Sequence, residues 1–219
     1  MKLWPRPPRP AVRWSSELGV VSAATVLWGG GEYVRLRRSP KPGLERQAQR
    51  MLNGLDGLAR QRLLRPHARL AADRASDALA FAAVPLACGL ALMCVDGLAP
   101  RLLRDGLRVV RAVTLTGAVN QAVKFLAPRE RPFTRTGPTG DGRDPFGSFF
   151  SNHTSAVTAM ASASARLVHA RGARTWFGLP LFGLAVFVGY LRIAADQHYL
   201  TDVLAGLGIG AALGFAAAR

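Results

Sequence analysis

The chain has 219 residues, 49% apolar and 19% charged, enough for one compact domain and without the polar bias of a disordered chain. Its formal charge of +16 is carried by Arg clusters between apolar runs, with no basic segment interleaved with aromatics; this argues against nucleic acid as partner and fits a bilayer with anionic lipids. Cys88 and Cys94 are six apart, where a helix keeps them separate, and no Cys/His set has zinc-ligand spacing, so neither a metal nor a cofactor is expected.

In chain order, MKLWPRPPRP is basic and proline-rich with no apolar stretch directly behind it, which argues against a cleaved signal peptide. Residues 1–43 form an N-terminal segment whose apolar run, Leu18 to Gly31, is short for a first span. Residues 44–77 carry Leu44, Ala48, Met51, Leu52, Leu55, Leu58, Leu63 and Leu64 at near-helical spacing among Arg46, Arg50, Arg60 and Arg62. Two readings stay open for this arm: a basic amphipathic helix on the membrane surface, or a solvated helix packed on a bundle.

Residues 78–219 read as a transmembrane core. Ala78 to Val95 is free of charge over eighteen residues, about the length that crosses a hydrocarbon layer of roughly 30 Å. Trp176 to Leu191 and the Gly/Ala-rich Val203 to Ala218 are similar. Leu107 to Ala127 and Thr154 to Ala170 are more polar and read as inner helices, with Arg108, Arg111, Asn120, Gln121 and Lys124 turned toward protein or water. The expected fold is therefore all-α, a polytopic bundle of five to six spans with an N-terminal basic arm.

If these spans alternate in direction, the end of 107–127, the start of 154–170, the end of 176–191 and the start of 203–218 share one membrane face. That face gathers Lys124, Arg131, Ser151, Asn152, His153, Arg192, His198 and Asp202. The other receives Arg101, Arg104, Arg171 and Arg174, which suit a cytoplasmic side. Three cations and a helix N-terminus suit a phosphoryl group: Lys124 as a point charge, Arg131 and Arg192 as planar forks, and the N–H groups around Ser151 and Asn152 as a cradle. Asp202, four residues after His198, could orient that ring for attack on phosphorus, and His153 could protonate the departing oxygen. Arg129, Arg135 and Arg143 fit no place in this scheme and read as solvated loop charges; Ser148 reads as a loop cap.

These residues resemble the motifs of the type 2 phosphatidic acid phosphatase and vanadium haloperoxidase superfamily. Lys124-Phe-Leu-Ala-Pro-Arg-Glu-Arg131-Pro132 matches K-x6-R-P, Ser151-Asn152-His153 is similar to the end of P-S-G-H, and Arg192-x5-His198-x3-Asp202 matches the end of S-R-x5-H-x3-D. Phe150, Asn152 and Leu191 replace the family's Pro, Gly and Ser. The resemblance implies a helical bundle, metal-independent hydrolysis through a phosphohistidine at His198, and His153 as the acid. Polyprenyl diphosphate, phosphatidylglycerol phosphate and phosphatidic acid are all candidate substrates. A non-hydrolytic binder of anionic lipid and a vanadate-dependent haloperoxidase are the alternatives. The expected location is a bacterial inner membrane with the site facing outside, provided Leu18 to Gly31 spans.

Overall fold

The computed structural model describes residues 14–37, 54–97, 100–136, 144–173 and 178–219. Leu44, Arg46, Ala48, Arg50, Met51, Leu52, Arg143, Arg174 and Trp176, named above, lie outside them. The described residues are helical, with no strand among them: α1 (Trp14–Arg37), α2 (Gly54–Leu63), α3 (Arg69–Ala78), α4 (Val84–Asp96), α5 (Pro100–Leu126), α6 (Asn152–Ala170), α7 (Leu179–Ala194) and α8 (Leu200–Ala217).

A 3-10 turn at Pro66–Ala68 and a π turn at Leu79–Ala83 join α3 and α4 into one helix, Pro66–Val95. The helix therefore runs straight through the boundary at 77/78, and the second half of the basic arm is the first half of an apolar helix. Pro85 sits at the start of α4, directly after the π turn. The arm is packed on the bundle: α2 and α3 touch α7, and α2 also touches α8.

Helix α6 is the axis, in contact with α4, α5, α7 and α8. Its Ala, Ser and Thr residues are mostly buried, and they leave room for α8 to approach closely. A Cβ on Gly206 would lie 3.0 Å from the Ser151 carbonyl oxygen, and one on Gly210 or Gly214 would run into the carbonyl of Ser155 or Ala159. The steps of four on both helices are in register, so backbone packs on backbone, the small-residue packing that membrane helices favour.

Among the described residues, two helices are long and apolar enough to cross a membrane, Pro66–Val95 with 30 residues and Leu200–Ala217 with 18; Leu179–Ala194 is apolar but shorter. α1 lies along α5, with Trp28 over Gly117 and Glu17 paired to Arg111 at 2.7 Å. The polar residues of α5 are turned to protein: Arg108 bonds Asp105 at 2.9 Å, the Asn120 amide donates to the Phe150 carbonyl at 2.6 Å, and Gln121 meets Glu32.

Candidate active site

Three connections converge at one end of α6. The α5–α6 loop is tied to itself by N–H donations from Arg129 to Phe146 O (3.0 Å), Arg131 to Pro145 O (2.7 Å) and Ser148 to Arg129 O (3.0 Å), so the stretch carrying Arg131 lies beside the stretch leading to Ser151. The Ser151 N–H donates to the Asp202 carbonyl at 3.1 Å, which joins the starts of α6 and α8. Ser151 also caps α6, its hydroxyl oxygen accepting from the Thr154 N–H.

The turn from α7 to α8 carries His198. Asp196 there has φ +60°, a conformation Asp tolerates better than most residues, and its fully buried carboxylate is fixed from the arm. Arg60 of α2 binds both oxygens at 2.7 and 2.8 Å, and Arg69 of α3 binds one at 2.8 Å. His198 itself is 2% exposed. Its Nδ1 lies 2.8 Å from the Ser148 carbonyl, which can only accept, so Nδ1 carries the proton and Nε2 keeps the lone pair. Arg131 Nη1 points at Nε2 from 3.2 Å.

The ring is thus oriented differently from the expectation that Asp202 holds it directly. Asp202 is 3.7 Å from Nδ1, too far for a hydrogen bond, and its oxygens are taken by Arg129, the Ser148 hydroxyl and the Tyr199 N–H. Ser148 links the two, giving its hydroxyl proton to Asp202 and accepting from His198 through its carbonyl. The carboxylate charge still lies close enough to favour positive charge on the ring.

The cations gather around this histidine. Burial first, and then the charges of Arg131, Arg192 and Lys124, push the His198 imidazole well below its ordinary 6.5, so the ring is neutral at pH 7. Burial, Arg192 and Arg35 push Arg131 down to about 9, which leaves it a cation at neutral pH inside a cluster of like charge. Lys124, 5% exposed, lies within electrostatic reach of Arg131, Arg35, Arg192 and Glu32. His153 stands within electrostatic reach of Arg192, His198, Arg131 and Lys124. All eight residues singled out from the sequence therefore lie at one end of the bundle, though the buried Asn152 Oδ1 has no hydrogen-bond partner. Among the described residues no group of His, Cys, Asp and Glu is arranged to hold a metal ion.

Several participants were not legible in the sequence. Arg129, expected as a solvated loop charge, is 5% exposed and bridges Asp202 and Asp56, with its guanidinium 4.4 Å from the centre of the Tyr199 ring. Burial works against its charge, but Asp202 and Asp56 outweigh that and the net shift is upward. Ser148 is the orienting link described above, and Arg135 donates to the Tyr199 hydroxyl at 3.0 Å. From α3, Asp73 binds Arg192 at 2.7 Å, Ser76 accepts from it at 3.1 Å, and Asp77 meets His153 Nε2 at 2.8 Å. The i, i+4 spacing of Asp73 and Asp77 puts both on one helix face, the one signal the sequence held; the partner of that face was not encoded locally.

A cavity of about 170 Å³ opens against Asn152 and His153, walled by Trp28, Phe81, Pro85 and Met160. A larger one of about 410 Å³ shares Trp28, Pro85, Val113 and Met160 with it and runs on toward Leu92 and Gly106.

The fold is similar to that of two solved structures. The crystal structure of LpxE from Aquifex aeolicus superposes with a TM-score of 0.53 at 20% identity, covering 74% of this chain and 92% of that one. The transmembrane PAP2 type phosphatidylglycerolphosphate phosphatase from Bacillus subtilis gives a TM-score of 0.53 at 17% identity, covering 92% of this chain and 93% of that one. No curated protein matches the sequence. A family model does: the PAP2 superfamily model spans residues 105–219, which takes in Lys124, Arg131, His153, Arg192 and His198. This chain belongs to the PAP2 superfamily.

Proposed function

We propose that the protein is a membrane lipid phosphatase that hydrolyses a terminal phosphate from a lipid phosphate or diphosphate through a phosphohistidine, without a metal. The observation that carries this reading is a neutral His198 with a free Nε2 lone pair among Lys124, Arg131 and Arg192. A phosphoryl group entering there would take the N–H of Arg131 away from Nε2 and expose the nucleophile. The three cations would bind the charge on the equatorial oxygens, joined by the N–H groups at the start of α6 around Ser151 and Asn152. Nε2 would then attack phosphorus. Ser148 and Asp202 would support the positive charge that forms on the ring, and His153 would protonate the leaving oxygen.

The apolar cavities support a lipid as the leaving part, since they begin at His153 and continue between α1, α4, α5 and α6. The outward faces of the apolar helices support membrane spanning: only 22% of the most apolar window of Pro66–Val95 is buried in the protein, and a greasy surface of that size suits lipid. We place the chain in a bacterial inner membrane as a bundle of five to six spans, with the site facing outside. The N-terminal segment 1–43 and the arm 44–77 then flank the catalytic core 78–219, and the bilayer's anionic lipids meet the arm's Arg residues.

Phosphate release by the purified protein in detergent, from a panel including polyprenyl diphosphate, phosphatidylglycerol phosphate and phosphatidic acid, tests the reading. Activity is expected to persist in chelator and to fall at least about 1,000-fold in His198→Ala and about 100-fold or more in Arg192→Ala. An active His198→Ala enzyme, or one silenced by chelator, would overturn it.

A further inference from the structure

His153 is gripped from outside the family's shared core. Asp77 Oδ1 lies 2.8 Å from Nε2, and Phe81, one helical turn along the same helix, meets the ring edge-on with centroids 5.3 Å apart. Both precede residue 105, where the match to the family begins. An ionised carboxylate can only accept a hydrogen bond, so Nε2 is a donor in this contact. The charged or titratable groups facing His153 are Asp77 from α3, Arg192 from α7, His198 and Arg131 from the loops, and Lys124 from α5. Four of these five are basic and, with burial, oppose a positive charge on the ring; the carboxylate in contact with it works the other way.

We infer that Asp77 is a positioning residue for the leaving-group acid: it accepts from His153 Nε2–H, and its charge favours the second ring proton, on Nδ1, that the leaving oxygen takes. The proposal rests on the phosphatase reading of the site. In the step, the phosphorus–oxygen bond breaks with its electron pair going to oxygen. The Nδ1–H bond breaks and an O–H bond forms, and His153 becomes neutral while Asp77 stays a carboxylate. Asp77 acts through His153 and touches neither phosphorus nor the attacking ring. Its side chain is 49% exposed, so part of its effect is screened by water, and a partial loss is expected where removal of His153 itself would be severe.

The test uses the full chain in detergent and two esters, a short-chain alkyl phosphate whose alkoxide cannot depart without a proton and p-nitrophenyl phosphate whose phenolate can. Asp77→Asn should cut kcat on the alkyl ester about 30-fold and on the aryl ester less than about 3-fold, with KM changed little, and Asp77→Glu should restore part of the loss. In parallel, ¹⁵N NMR of the histidine rings should show His153 losing its proton at lower pH in Asp77→Asn than in wild type, a readout that needs no turnover. Equal losses on both esters would mean a merely structural role and would overturn the proposal. So would faster turnover of the alkyl ester, which would make Asp77 a competitor of the phosphate, or an unchanged His153 titration. An active His198→Ala enzyme would instead count against the phosphatase reading, and the NMR comparison still decides the role of Asp77.

Discussion

At the scale of the residue, the site is defined by which nitrogen of His198 is free. The Ser148 carbonyl takes the Nδ1 proton, and Nε2 is left facing Arg131. A histidine whose proton affinity is lowered in the folded protein stays a free base at pH values where the unfolded chain, at about 6.5, already binds a proton. Two effects of opposite use follow. The fold loses stability as pH falls below about 6.5, because protons then favour the unfolded chain. The proposed nucleophile, by contrast, stays unprotonated into mildly acid solution. The acid limb of kcat/KM is therefore expected below pH 6.5, and removal of a neighbouring cation in Arg131→Ala should move it upward toward that value as overall activity drops; pH–rate profiles of the two proteins check this. The sequence placed His198 in the site by its spacing from Arg192, but Ser148, fifty residues upstream, carries no mark of its role. A serine carbonyl becomes an acceptor for a particular ring only when the loop is folded.

Among the elements, the basic arm changes meaning most. Its Arg residues suited either a surface lying on anionic lipid or an arm packed on the bundle, and two of them reach inward: Arg60 and Arg69 clamp Asp196, the residue of positive φ that sets the turn before His198. Asp196 is fully buried, so removal of the bidentate partner leaves its carboxylate short of two charge-assisted hydrogen bonds. Arg60→Ala is expected to cost about 1–3 kcal/mol, measured by thermal unfolding in detergent, and to lower kcat more than it raises KM, since the turn carries the proposed nucleophile rather than the proposed phosphate binders. The glycine steps of α8 show the opposite case. Gly206, Gly210 and Gly214 announce a close helix contact in the sequence itself, because a four-residue step of glycines makes a smooth stripe whatever the partner. That the partner is α6, at Ser151, Ser155 and Ala159, is a product of the bundle.

For the whole molecule, the alternation of apolar helices predicted that four helix ends would meet, and the described helices do bring Lys124, Arg131, Ser151, His153, Arg192, His198 and Asp202 to one end of α6. Sidedness follows from whether α1 crosses the bilayer. It is a 24-residue helix docked along α5 through Trp28 and Glu17. With α1 as a first span the site faces outside, and a cysteine introduced as Gly140→Cys in the α5–α6 loop should react with an impermeant thiol reagent in intact cells; labelling confined to permeabilised cells would reverse the orientation. The sequence by itself determined the helical class, the helix ends that meet and the residue types proposed to bind and attack a phosphoryl group, because helix period and motif spacing are local properties of the chain. Only the tertiary structure decided how those residues are held: Asp73 on Arg192, Asp77 on His153, Arg129 between Asp56 and Asp202. Those pairings join residues more than seventy positions apart, and a buried charge takes whichever opposite charge the packing of the helices brings within reach.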